Sequence, residues 1–80
     1  MTREADQIAK DYSAMGDSVD LITAVIAGES MADESAEDRQ DCVDRNTQHL
    51  ELMVALEDWG SEDMTATNAA ITAGNGYTAS

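Results

Sequence analysis

Along the first part of the chain, apolar residues recur in alternating steps of three and four: Ala5, Ile8, Tyr12, Met15, Val19, Ile22 and Ile26. That spacing keeps all seven on one side of an α-helix and predicts a helix over residues 3–27. Thr2 is its expected N-cap, with Glu4 in the first turn, and Gly28 its expected stop. The run Gly16-Asp17-Ser18 falls inside it and is a candidate kink, since glycine costs roughly 1 kcal/mol against alanine in a helix interior. The polar stretch ESMADES follows as a connection, with Ser30 or Ser35 placed to cap the next element.

A second helix is predicted over residues 35–59. On a helical wheel one arc gathers Cys42, Val43, Asn46, His49, Leu50, Met53, Val54 and Leu56, and the opposite arc gathers Glu34, Glu37, Asp41, Asp44, Glu51 and Asp58. Asp41 and Arg45 stand four apart, the spacing of a helical ion pair. Leu52 and Trp59 lie beside the apolar arc instead of within it. With His49 and Leu56 they form a second ridge at i, i+3, i+7, i+10 that one helical hairpin does not easily cover.

Gly60 breaks that helix, and Ser61 is placed to cap a third over residues 62–73, with Glu62 and Asp63 in its first turn. This helix is built from small residues, Ala66, Ala69, Ala70 and Ala73, with Met64 and Ile71 as larger anchors. Small residues let helices approach closely. Gly74 is its expected end and residues 75–80 a flexible tail, in which Tyr77 is a candidate partner contact. With no proline, no repeat and no strand-like alternation of useful length, the chain reads as a single all-α domain of three helices, a hairpin plus a short third helix.

Charge changes the picture in one respect. The 80 residues carry a net charge of −13, from 17 acidic groups against three arginines and Lys10. Twelve of the acids fall in residues 29–63 and none in residues 64–80. Direct nucleic-acid binding is disfavoured, because phosphate affinity comes from Lys and Arg. A basic partner, or solubility in a salty medium, is favoured. An 80-residue domain buries only about 60–65% of its unfolded surface and commonly leans on a disulfide, a metal or a partner. Cys42 is the only cysteine, which excludes an internal disulfide and fits a reducing compartment or an intracellularly assembled particle. No membrane span and no signal peptide are expected. A partner is the remaining support. The uncharged end and the surplus ridge make His49, Leu52, Leu56, Trp59, Met64, Ile71 and Tyr77 the candidate partner-binding residues.

The sequence carries no catalytic or metal-binding motif. Cys42 and His49 lie two turns apart, about 10 Å along a helix, too far to share an ion or act as a nucleophile pair. The positions three and four from His49 are Arg45, Asn46, Leu52 and Met53, none a good zinc ligand. A histidine partly buried beside Asn46 is the simpler expectation. The acidic runs DESAED and EDWGSED lack the ligand alternation and central glycine of an EF-hand loop. AGNGY has neither the lysine nor the following helix of a phosphate cradle. No catalytic residue, cofactor or metal is expected. Trp59 has two readings, the lid of a small core or an interface anchor.

The string VDRNTQHLELMVALEDWGSEDMTATNAAITAGNGY resembles short helical proteins of tailed bacteriophages, marine ones especially. The likeness rests on Asp44-Arg45-Asn46, His49-Leu50, Met53, Trp59, Asp63-Met64, Asn68-Ala69-Ala70-Ile71, Ala73-Gly74 and Tyr77. It covers roughly the last 40 residues well and residues 4–26 loosely, and carries no catalytic residue. It implies a phage origin and a place in the virion, reached by assembly in the host cytoplasm, against capsid, portal or tail, with Asp44-Arg45-Asn46 either a recognition patch or an ordinary intramolecular pair. The expected role is then a non-enzymatic accessory protein that binds a larger phage structural protein, copies of itself, or both. The alternative is an acidic DNA mimic that blocks a host nuclease or DNA-binding protein. Its acids over residues 29–63, spaced about one per 4 Å if helical, approach the ~3.4 Å repeat of phosphates along a strand. A helix-turn-helix regulator is set aside for want of a basic recognition helix.

Overall fold

The computed structural model describes residues 3–80, and among these the chain forms three α-helices and no strand. They are α1 (Ala5–Ile26), α2 (Ala36–Val54) and α3 (Thr65–Asn75). Helices α1 and α2 make an antiparallel hairpin, so that Arg3, just ahead of α1, meets Asp58, just beyond α2. Helix α3 packs against both. The core is one cluster of Met15, Ile22, Val25, Val43, Leu50, Trp59 and Ala70.

The stripe on α1 keeps the expected period through Ile8, Tyr12, Met15, Val19 and Ile22 and departs from it at both ends. Its buried residues are Met15, Ser18, Ile22 and Val25, while Ile26, the expected last member, faces outward. Ile8, Tyr12 and Val19 pack partly against the core, and Ala5 is exposed. Ser18 is small enough for close helix approach, and Gly16 sits within an uninterrupted helix. The expected cap Thr2 lies outside the described residues; the N-cap position is held by Glu4, whose side chain makes no capping bond. Gly28 adopts φ 77°, the left-handed conformation that ends helices.

Helix α2 begins where its sequence signals. The Ser35 hydroxyl accepts from the Asp38 N–H at 3.1 Å, and Glu37 and Asp38 set negative charge against the positive helix end. Val43, Thr47 and Leu50 are its buried residues. His49, expected partly buried beside Asn46, is exposed; Asn46 instead donates to the Cys42 carbonyl at 2.8 Å.

The main departure is the end of α2. The helix expected to run to residue 59 stops at Val54, so Leu56 and Trp59 do not continue a helical ridge. The reason is tertiary. Trp59 turns back into the core and its indole Nε1–H donates to the Met53 carbonyl at 2.8 Å, beside the Leu56 N–H that donates to the same oxygen at 3.1 Å. A turn closes behind it, with Glu62 N–H donating to the Trp59 carbonyl and Gly60 at φ 64°.

Helix α3 likewise starts later than the expected residue 62. Ser61 is not its cap; Asp63 Oδ1 accepts from the Thr65 N–H at 2.9 Å, which sets the first turn. Its buried line is Thr67, Ala70 and Gly74, whereas Ala66, Ala69 and Ala73 are exposed. Gly74, expected as the stop, lies inside the helix, buried where α3 packs on Thr47 of α2. A Cβ there would lie 3.1 Å from Thr47 Cβ and 3.2 Å from Thr47 Cγ2. The expected flexible tail is tied to α2: the Gln40 side-chain amide donates to the Tyr77 carbonyl at 3.0 Å and accepts from the Ala79 N–H at 2.7 Å. Arg39 donates to the Ser80 carbonyl at 2.7 Å.

Candidate functional site

The seven residues expected to bind a partner divide into two groups. Trp59, Met64, Ile71 and Tyr77 belong to the protein's own packing: Trp59 is only 7% exposed, and the other three are half-buried against the core. The uncharged end of the chain is therefore packed first of all against α1 and α2. His49, Leu52 and Leu56 remain outside. Leu52 is 71% exposed and Leu56 41%, the two most exposed large apolar side chains of the described residues. Leu52 stands in the last turn of α2, and Leu56 follows four residues later, past a C-cap that keeps helical backbone angles at Ala55. Leu52 and Leu56 are thus the exposed large apolar side chains at the C-terminal end of α2 and just beyond it.

Beside Leu52, α2 presents polar ground. Gln48, Glu51 and Leu52 line a shallow depression of about 390 Å³. A second one, of about 290 Å³, adjoins it through the same Gln48 and Glu51 and is completed by Asp44, Thr47 and Asn75. Asp44 and Glu51 are exposed. Asp44 accepts one hydrogen bond, from the neutral Gln40 amide at 3.0 Å. The neighbouring Arg45 is turned to Asp41 at 3.0 Å in the expected i, i+4 pair, both side chains mostly exposed. The surface offered beside Leu52 is thus acidic. Asp58, expected in the acidic stripe, is not part of it, because α2 ends four residues earlier.

What holds the segment after α2 is a clamp that composition did not announce. Asp58 accepts from the Arg3 backbone N–H at 2.9 Å and from its Nε at 3.0 and 3.1 Å, and pairs with its Nη2. Arg3 Nη1 donates to Asp11 at 2.7 Å. The same guanidinium lies 4.2 Å from the centre of the Trp59 ring, and Tyr12 meets that ring at 6.3 Å between centroids, tilted by 59°. The Tyr12 hydroxyl donates to the Asp63 carbonyl at 2.6 Å. Hydrogen bonds from Arg3 hold the Asp58 carboxyl well below its ordinary value, and those from Arg3 and Gln7 lower Asp11. The bonds to Thr65 lower Asp63. A single arginine and the only tryptophan together fix residues 55–64, which carry Leu56.

Among the described residues no three His, Cys, Asp or Glu side chains converge as a metal site would need, and no helix is long and apolar enough to cross a membrane. The Cys42 thiol is half-buried, 3.7 Å from Asn46 Nδ2, and His49 is far from it along α2. No protein family, curated protein or solved structure matches this chain.

Proposed function

We propose that this chain is a non-enzymatic accessory protein that docks onto a larger partner through the exposed leucines at the end of α2, and that the setting is the virion of a tailed bacteriophage, with capsid, portal or tail as the partner. The docking part is carried by one observation: Leu52 is 71% exposed in a domain whose other large apolar side chains are mostly covered. Burying a leucine fully is worth roughly 1.5–3 kcal/mol, so covering Leu52 and Leu56 gives a partner a real free-energy gain. The phage setting is carried by the resemblance of residues 43–77. Trp59 and Ile71 serve the fold, so the informative substitution is Leu52→Ser. Mass spectrometry of purified particles is expected to find the wild-type chain and to lose it in Leu52→Ser. Absence of the wild type from particles, or normal incorporation of Leu52→Ser, counts against the reading.

A second reading is favoured by the acidic face of α2. Glu37, Asp41, Asp44 and Glu51 are all exposed there, as a DNA mimic facing a host nuclease or DNA-binding protein requires. A complex with a basic host protein that dissolves with salt and is indifferent to Leu52→Ser supports this reading against the first.

A further inference from the structure

We infer that the docking face extends beyond the two leucines, and that its occupant is a basic amphipathic segment of the partner, with an apolar side chain on Leu52 and a Lys or Arg against Asp44 and Glu51. The inference rests on the docking reading above and adds the chemistry of the partner. The geometry carries it in three steps. Leu52 and the two acids lie on one continuous strip of α2, because the two depressions share Gln48 and Glu51. Asp44 and Leu52 are eight residues apart, about 12 Å along the helix, a span that two turns of a partner helix match. The acids are available: Asp44 is bonded only to the neutral Gln40, and the adjacent Arg45 is paired to Asp41.

Charge selects among occupants. A second copy of this chain carries the same −13 and would set Asp44 and Glu51 against like charge. An anionic lipid surface is repelled for the same reason. A segment with Lys or Arg flanking its apolar residue gains in both regions of the strip, while its cations steer the encounter.

The test uses the full chain and a fluorescently labelled synthetic helical peptide, with leucines at i, i+4, i+7 and lysines on either side, followed by anisotropy at two salt concentrations. Leu52→Ser is expected to weaken binding roughly tenfold. The pair Asp44→Asn with Glu51→Gln is expected to weaken it and flatten its salt dependence. Glu29→Gln with Asp33→Asn removes equal charge from exposed positions in the α1–α2 connection and is expected to leave most of the binding. The inference is overturned if the peptide does not bind the wild type, if Leu52→Ser binds as well, or if the remote charge pair weakens binding as much as the local one. The particle experiment separates the two proposals. A chain found in virions that ignores the peptide retains the assembly reading and loses this one. A chain absent from virions that binds the peptide as expected does the reverse.

Discussion

Replacing Gly74 by alanine tests the packing of α3 against Thr47 of α2. The new Cβ would stand 3.1 Å from Thr47 Cβ and 3.2 Å from Thr47 Cγ2, nearer still to Oγ1, all inside ordinary van der Waals separation. Thr47 is 3% exposed, and its hydroxyl donates to the Val43 carbonyl at 2.7 Å. Two escapes exist. Thr47 can rotate, which breaks that bond where water cannot replace it, at about 1–3 kcal/mol. Or α3 can move off α2, loosening the Thr67, Ala70 line, and overpacking of this kind typically costs 1–3 kcal/mol. Alanine recovers up to about 1 kcal/mol of helix propensity. The net expected loss is about 1–2 kcal/mol. An 80-residue domain has roughly 4–12 kcal/mol in all, and each kcal/mol moves the midpoint by about 4–8 °C, so the change is easily read. Urea unfolding followed by the fluorescence of Trp59, the only tryptophan, is the assay: a lower midpoint with an unchanged slope is expected. Adding Thr47→Ala removes Oγ1 and Cγ2 and should make the double variant more stable than the sum of the singles. A Gly74→Ala midpoint at or above wild type would refute the close-approach argument.

Gly16 offers the opposite case: nothing lies within 4 Å of its ideal Cβ, so Gly16→Ala should raise the thermal midpoint by the equivalent of up to about 1 kcal/mol. Trp59→Phe keeps an aromatic ring but removes the N–H that the Met53 carbonyl accepts; a loss of about 1–2 kcal/mol in urea unfolding is expected, and no loss would mean the bond contributes nothing. Acid stability should follow the Arg3 clamp. Asp58 and Asp11 sit below the ordinary carboxylate value of 3.8 in the folded state, so their contribution is complete above that value and vanishes as pH falls through their lowered ones. The wild-type thermal midpoint should therefore drop as pH falls below about 4, and Arg3→Ala should be less stable at neutral pH with a shallower acid limb. Equal steepness in both proteins would contradict the clamp. Leu52→Ser, at an exposed position, should change stability by less than about 0.5 kcal/mol, which a thermal melt can check.

Much of the secondary structure was legible because a helix writes its buried face into local spacing. Met15 and Ile22 on α1, Val43 and Leu50 on α2 and the Ser35 cap follow from residues within a turn or two of one another. The surplus ridge was legible only in part. Its helical geometry assumed that α2 runs through Trp59, and nothing near Trp59 in sequence says otherwise until Gly60.

By itself, then, the amino-acid sequence determined an acidic, all-helical domain, the approximate placing of its three amphipathic segments and the uncharged character of residues 64–80. Tertiary structure alone decided where the apolar side chains go. Arg3, 55 residues from Asp58, and Tyr12, 51 residues from Asp63, draw residues 55–64 back over the hairpin. Trp59 is thereby buried and Leu52 and Leu56 stay outside. In the same way Gln40 receives the tail and Thr47 receives Gly74. The physical reason is range. Helical periodicity is set by neighbours three and four residues apart, whereas the choice of which apolar side chain is covered depends on groups that meet only once the helices have packed.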